Sequence, residues 1–278
     1  MLVKAEEKDI ETYIDFAYSL ALDQTRSGYP LFSDGILTKE NFVSWIWRSY
    51  KEERRELLLF MLDNKVEGII QFFYIKEDDY LQMDGFYINK DTEQALEEFI
   101  EYGKRHFAGY DLYLGFPKKN SNAVAYLKDI GCRLAEEAYH DVFSFDTYEL
   151  QPEDPGITKV TKDNFSVFRS IHMEDQDTYW NADRIYETLD EWTIYLLCQN
   201  GVAAGYVNVR SGEIFDLGYR NAAYDEKVYK ALVTKVLNDS KIAGYPHMTF
   251  FNDDKTQSAA LDLGFTCVSE YVLFVKKV

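Results

Sequence analysis

The chain has 278 residues, 46% of them hydrophobic, a formal net charge of −18 and three cysteines. That length fits two domains of ordinary size, each able to bury a core without disulfides or a structural metal, and the acidic excess argues against nucleic acid or an anionic membrane as partner. Cys132, Cys198 and Cys267 are scattered and odd in number, which suits a reducing cytosol better than a disulfide framework.

In chain order, Ile10, Tyr13, Ile14, Phe16, Ala17 and Leu20 recur at helical spacing and predict a helix over 8–23. Gly28-Tyr29-Pro30 and Ser33-Asp34-Gly35 break the chain into a loop. Thr38 can cap a second helix with Phe42, Trp45, Ile46 and Tyr50 on its apolar side. Strands follow at 56–62 and 66–75, joined across Asp63-Asn64-Lys65 as a hairpin, then at 80–88. Thr92 is placed to cap a helix that buries Ala95, Leu96, Phe99, Ile100 and Tyr102. A strand at 111–116, a short helix at 123–129 and a long strand at 132–145 close the half.

The second half replays the first. Leu62-Asp63-Asn64-Lys65-Val66-Glu67-Gly68 answers to Cys198-Gln199-Asn200-Gly201-Val202-Ala203-Ala204-Gly205, and Ala108-Gly109-Tyr110 returns as Ala243-Gly244-Tyr245. A period of about 135 residues is domain-sized, far longer than a solenoid repeat. Helical patterns are expected over 161–190, strands at 192–198, 202–209 and 213–219, a helix at 225–240, a strand at 247–251, a helix at 256–263 and a strand at 266–275. The polar, Pro- and Gly-bearing segment 151–156 reads as a linker, which places the domains at 1–148 and 149–278. The expected class is α/β, each half a mixed, mostly antiparallel sheet flanked by helices.

This order of elements resembles the Gcn5-related N-acetyltransferase superfamily in its tandem form, over nearly the whole chain. Asn120-Ser121-Asn122-Ala123 and Gly131-Cys132 are similar to the family pattern NxxAxxxYxxxGF, and Gly264-Phe265 matches its end in the second half. The resemblance implies an acyl transfer from acetyl-CoA to a small-molecule or peptide amine. It also implies a cofactor site built from Tyr87, Ile88, Lys90, Asn120 and Ala123. Asp84 and Asp216, at like points of the two central strands, are the candidate bases. Tyr126 is the candidate acid, one place from the family's tyrosine, a position held by Leu127 here and by Ala260 in the second half.

The family's RxxGxG loop, whose amides hold pyrophosphate at a helix N-terminus, has no counterpart in Ile88-Asn89-Lys90-Asp91 and only a glycine-free one in Asn221–Glu226. Lys90, Lys118 and Lys119 favour the first half as the coenzyme binder, while Arg220 favours the second. One active and one structural half is therefore the expected arrangement, with the first half as the expected coenzyme binder; a silent ligand-binding or interaction module and an enzyme with another acyl donor are the alternatives. Tyr29, Phe32, Trp45 and Trp47 enrich the segment that would cover the acceptor. His106, His140, His172 and His247 show no HExxH spacing and no cysteine pair, so no metal is expected. No apolar run is long enough to span a bilayer and no secretory signal precedes the first acidic helix, so a cytoplasmic location is expected.

Overall fold

The computed structural model describes residues 1–28, 38–174 and 179–278. The loop expected around Tyr29 to Gly35, with Phe32, lies outside these residues. The chain forms two compact units, residues 1–137 with 269–278 and residues 138–268.

In chain order the first unit contains β1 (Leu2–Lys4), α1 (Glu7–Ala21), β2 (Ser27–Gly28), α2 (Lys39–Lys51), β3 (Arg55–Leu62), β4 (Lys65–Ile75), β5 (Tyr80–Ile88), α3 (Thr92–His106), β6 (Asp111–Pro117) and α4 (Ser121–Asp129). β7 (Arg133–Ser144) passes into the second unit, followed by β8 (Ile157–Lys159), α5 (Phe165–Arg169), α6 (Ala182–Glu187), β9 (Thr193–Gln199), β10 (Val202–Arg210), β11 (Glu213–Tyr219), α7 (Glu226–Ala243), β12 (His247–Asn252) and α8 (Gln257–Asp262). β13 (Thr266–Lys277) ends the chain, and its residues from Ser269 onward belong to the first unit.

The sheet of the first unit runs β1-β3-β4-β5-β6-β13 and that of the second β8-β9-β10-β11-β12-β7. All neighbours are antiparallel except β5 with β6 and β11 with β12. Each unit therefore takes its last strand from the other half's share of the sequence. The linker expected at 151–156 lies within the second unit, where Asn238 holds it by accepting from the Gln151 N–H and donating to the Gln151 carbonyl.

Local chemistry explains the elements. Asp63 and Asn64, both at positive φ, form the two-residue turn between β3 and β4, and Asn200 with Gly201 repeats it between β9 and β10. Thr38 caps α2 by accepting from the Asn41 N–H. Thr92 does not cap α3 as expected: it lies inside the helix, and the cap position falls to Asp91 at φ 55°, whose side chain makes no capping bond.

Successive residues of the central strands face opposite layers. Ile70 and Phe72 pack with Ala95, Leu96 and Phe99 of α3, while Ile69 and Leu57 pack with Ile10 and Ala17 of α1 and Phe42 and Ile46 of α2. In the second unit Val207 and Val209 meet α7, and Tyr206 meets Phe168 and Ile185 of α5 and α6. Among the described residues of 161–190, where helices are expected throughout, α5 and α6 are short, and side chains take up backbone groups beside them. The Met173 N–H goes to the Tyr206 hydroxyl at 3.3 Å, and the Thr161 N–H goes to Asn164 Oδ1 at 2.6 Å.

Candidate active site

In each unit the central strand carries a bulge where its parallel pairing stops. β5 pairs with β6 only from Tyr80 to Met83, and Asp84 is the extra residue against β4, between the Gln71–Gly85 and Phe72–Met83 pairs. β11 pairs with β12 at Glu213 and Ile214, and Phe215 is the extra residue against β10. Beyond each bulge the two parallel strands no longer pair, which leaves a wedge with a free strand edge.

The first wedge is filled by the chain itself. β2 pairs with Tyr87 and Phe86, the Ile88 N–H donates to the Arg26 carbonyl at 3.0 Å, and Asn120 Nδ2 donates to the Ser27 carbonyl at 3.0 Å. Gly28 is enclosed so tightly that a Cβ there would lie 2.7 Å from Phe116, 2.8 Å from Phe86 and 2.9 Å from Met83. Four of the expected cofactor residues make contacts within the protein here. The Ile88 amide is already bonded, Tyr87 packs against Phe42 at 5.2 Å, Asn120 caps α4 by accepting from the Ala123 N–H, and Ala123 is without solvent exposure.

Asp84, the first candidate base, is 3% exposed and ion-paired with Arg55, which also bonds Glu52 at 2.8 Å and lies over the rings of Trp45 and Phe73. Burial pushes its carboxyl up to about 6 against the opposing pull of Arg55. Its carboxyl is thus buried and ion-paired, where that of a base open to an acceptor would reach solvent. Ile88, Lys90 and Tyr126 do come together, with Arg26, Lys119 and the start of α3, along a groove of about 1110 Å³. Its cations are matched by Asp91, Glu93, Glu97 and Glu98, and burial pushes the Tyr126 phenol up, with Glu97 adding to the shift.

The second wedge differs. Beyond Ile214 no strand pairs with the outer edge of β11 among the described residues. The bulge turns two successive side chains to the α5/α6 layer: Phe215 meets Trp192 at 5.2 Å, and Asp216 accepts a short hydrogen bond from the Tyr206 hydroxyl. Asp216 keeps 39% of its side chain in solvent. His172, whose side chain is 2% exposed, places Nδ1 3.4 Å from Asp216 Oδ2 and 3.2 Å from Tyr206 Oη, with Nε2 3.2 Å from the Trp180 carbonyl. Burial, reinforced by Asp216, holds the Tyr206 phenol well above its ordinary range. Spacing did not single out His172, because only the fold brings it to Tyr206.

The α3 N-terminus of the first unit opens on that unit's groove without a side-chain cap, whereas the α7 N-terminus of the second is occupied. In the second, Asp225 Oδ1 accepts from the N–H groups of Lys227 and Val228 at 2.9 and 3.2 Å, and so occupies the α7 N-terminus with a carboxylate. Arg220 stands at the start of this loop, which lines a cavity of about 380 Å³ with Asn221, Ala223 and Tyr224. No cluster of side chains able to hold a metal ion occurs among the described residues.

No family model matches the sequence, and no curated protein does. Solved structures do match. A Gcn5-related N-acetyltransferase from Sphaerobacter thermophilus aligns over 100% of this chain and 95% of its own at TM-score 0.65 and 13% identity. A tandem GNAT protein from the clavulanic acid biosynthesis pathway, solved without AcCoA, covers 100% of this chain and 98% of its own at TM-score 0.57 and 12% identity. The glucosamine N-acetyltransferase region of a fungal multi-domain GH3 β-N-acetylglucosaminidase covers 99% of this chain and 38% of its own at 0.62 and 8%. With the two like sheets, their bulges and their wedges, these matches give the chain the fold of the Gcn5-related N-acetyltransferases in the tandem two-domain form.

Proposed function

We propose that the protein is an acyl-CoA-dependent N-acyltransferase whose second half does the chemistry, moving an acetyl group from acetyl-CoA to a small-molecule or peptide amine. One observation carries the choice of half: among the described residues no strand pairs with the edge of β11 beyond its bulge, and a solvent-reaching carboxylate stands beside it, while the matching edge of β5 is paired with β2. The first half then serves as structure. The thioester supplies the electrophilic carbonyl. Asp216 takes the proton from the ammonium of the acceptor, which approaches over the α5/α6 layer past Phe215, and the freed amine attacks. Backbone N–H groups after the Phe215 bulge are placed to receive the developing oxyanion. The coenzyme A thiolate leaves without a dedicated acid, which fits the alanine at position 260.

Turnover with a panel of primary amines tests this reading. Asp216→Asn is expected to lower kcat at neutral pH by about 100-fold or more, and less at high pH, where the amine arrives already deprotonated. Arg220→Ala is expected to raise KM for acetyl-CoA, whereas Lys119→Ala in the first-half groove leaves it unchanged. The reverse pattern would assign the chemistry to the first half. A second reading, a silent binding module, is favoured by the Asp225 carboxylate at the α7 N-terminus, where a pyrophosphate would sit. Failure of acetyl-CoA to bind at millimolar concentration would select it.

A further inference from the structure

We propose that His172 is a positioning residue that receives the proton Asp216 removes from the acceptor amine, with Tyr206 as the bridge between them; this rests on the assignment of Asp216 as base. Both ring nitrogens face oxygen. Nε2 lies 3.2 Å from the Trp180 carbonyl, which can only accept, so this nitrogen carries a hydrogen in the neutral ring. Nδ1 then presents its lone pair to Tyr206 Oη at 3.2 Å and Asp216 Oδ2 at 3.4 Å.

Tyr206 has one hydroxyl proton and two groups that can take it. It donates to Asp216, and its oxygen accepts from the Met173 N–H at 3.3 Å. A proton arriving on Asp216 can therefore pass to Nδ1, either directly or by a paired shift in which Asp216 gives its proton to Tyr206 Oη while Tyr206 gives its own to Nδ1. The balance is one proton: a carboxylate and a neutral imidazole become a carboxylate and an imidazolium, while the ammonium becomes an amine. Asp216 is thereby returned to its charged form while the amine attacks, and the imidazolium donates from both nitrogens, to Trp180 and to the Asp216–Tyr206 pair.

The ring is fixed for this role. It stacks on Phe168 at 4.8 Å and 26° and meets the Tyr206 ring edge-on at 5.4 Å. Among the described residues, the charged and titratable groups facing it are Asp216 from β11, Tyr206 from β10 and Glu174, whose carboxylate is 4.0 Å from Nε2 and also accepts from the Ala182 N–H at 2.7 Å. No other cationic side chain contacts Asp216 in the described structure, so His172 is placed to hold its proton.

Nitrogen-15 NMR of the intact chain and steady-state kinetics test this together. The neutral His172 ring is expected as the Nε2–H tautomer, and Asp216→Asn is expected to move its Nδ1 resonance. A neutral Nδ1–H tautomer, or an Nδ1 resonance indifferent to Asp216→Asn, would overturn the proposal, and this readout decides it even if the wild type transfers no acetyl group. In turnover, His172→Gln is expected to lower kcat about 10- to 100-fold at neutral pH with the amine KM within about twofold. It is also expected to add nothing to Asp216→Asn in the double variant. Additive losses would mean that His172 acts apart from Asp216. Tyr206→Phe, which keeps the buried ring and removes the bridge along with the acceptor of the Met173 N–H, supplies the same comparison where His172→Gln does not fold, with additivity again the contrary result.

Discussion

Asp84 is the bulged residue of β5 and Asp216 the residue just after the bulge of β11, and their neighbours give them opposite work. Arg55 reaches Asp84 under Trp45, and the pair is closed from water; Tyr206 and His172 flank Asp216, and water still reaches it. Replacing Asp84 by Asn would leave the Arg55 charge with only Glu52; because burial outweighs Arg55 and raises the carboxyl to about 6, the variant's thermal midpoint is expected to gain on the wild type as the pH rises from about 4 to about 7. A difference constant with pH would show that Asp84 does not titrate in the folded protein. The repeat made both aspartates legible in the sequence. Their difference was not, because Arg55 lies on β3 and His172 precedes a segment rich in Tyr and Trp, and neither stands at a telling distance from its partner. Asn120 illustrates the converse: its motif position was readable, but its amide serves the Ser27 carbonyl and the α4 cap.

At the level of elements, each central strand carries a bulge, and among the described residues β2 covers the edge beyond only the first of them. The hairpins, the central strands and the long helices followed from turn residues and periodicity, since Asp63-Asn64 and Asn200-Gly201 favour the left-handed backbone their turns require. A two-residue strand such as β2 has no period to read, and neither has the short α5, so the plugged wedge was invisible in the sequence. Gly28 makes the plug testable. Gly28→Ala must push aside Phe116, Phe86 or Met83 and is expected to destabilise by about 1–3 kcal/mol, read as a lower thermal midpoint. The KM for acetyl-CoA should not change, because this wedge is structural; a changed KM with an unchanged midpoint would contradict that role.

At the level of the whole molecule, the ionisable interior makes stability depend on pH in two opposing ways. His140, 3% exposed and stacked on Phe251, is pushed down to about 4 by burial. Its folded value lies below its unfolded one, so its contribution is present above about 6.5 and is lost as the pH falls through about 4, by about 3 kcal/mol. Asp84, raised to about 6, works the other way: its contribution is present at low pH and lost as the pH rises through that value. His140→Phe keeps the stacked ring and isolates one term. Its thermal midpoint is expected to gain on the wild type as the pH is lowered from 7 to 4.5, and a constant difference would show His140 to be uninvolved. The two-unit plan was legible from the repeat, whereas the assignment of residues 269–278 to the first unit was not, since strand partners leave no mark on a strand's own alternation.

The central claim, that the open wedge of the second half takes the acyl donor, is tested most directly by hydrogen–deuterium exchange of the full chain with and without acetyl-CoA. Slower exchange is predicted in peptides covering β11 from Phe215 through Asp225, with no change at Phe86 to Ile88. Protection confined to the first half's wedge and the start of α3, or no protection anywhere, would contradict it.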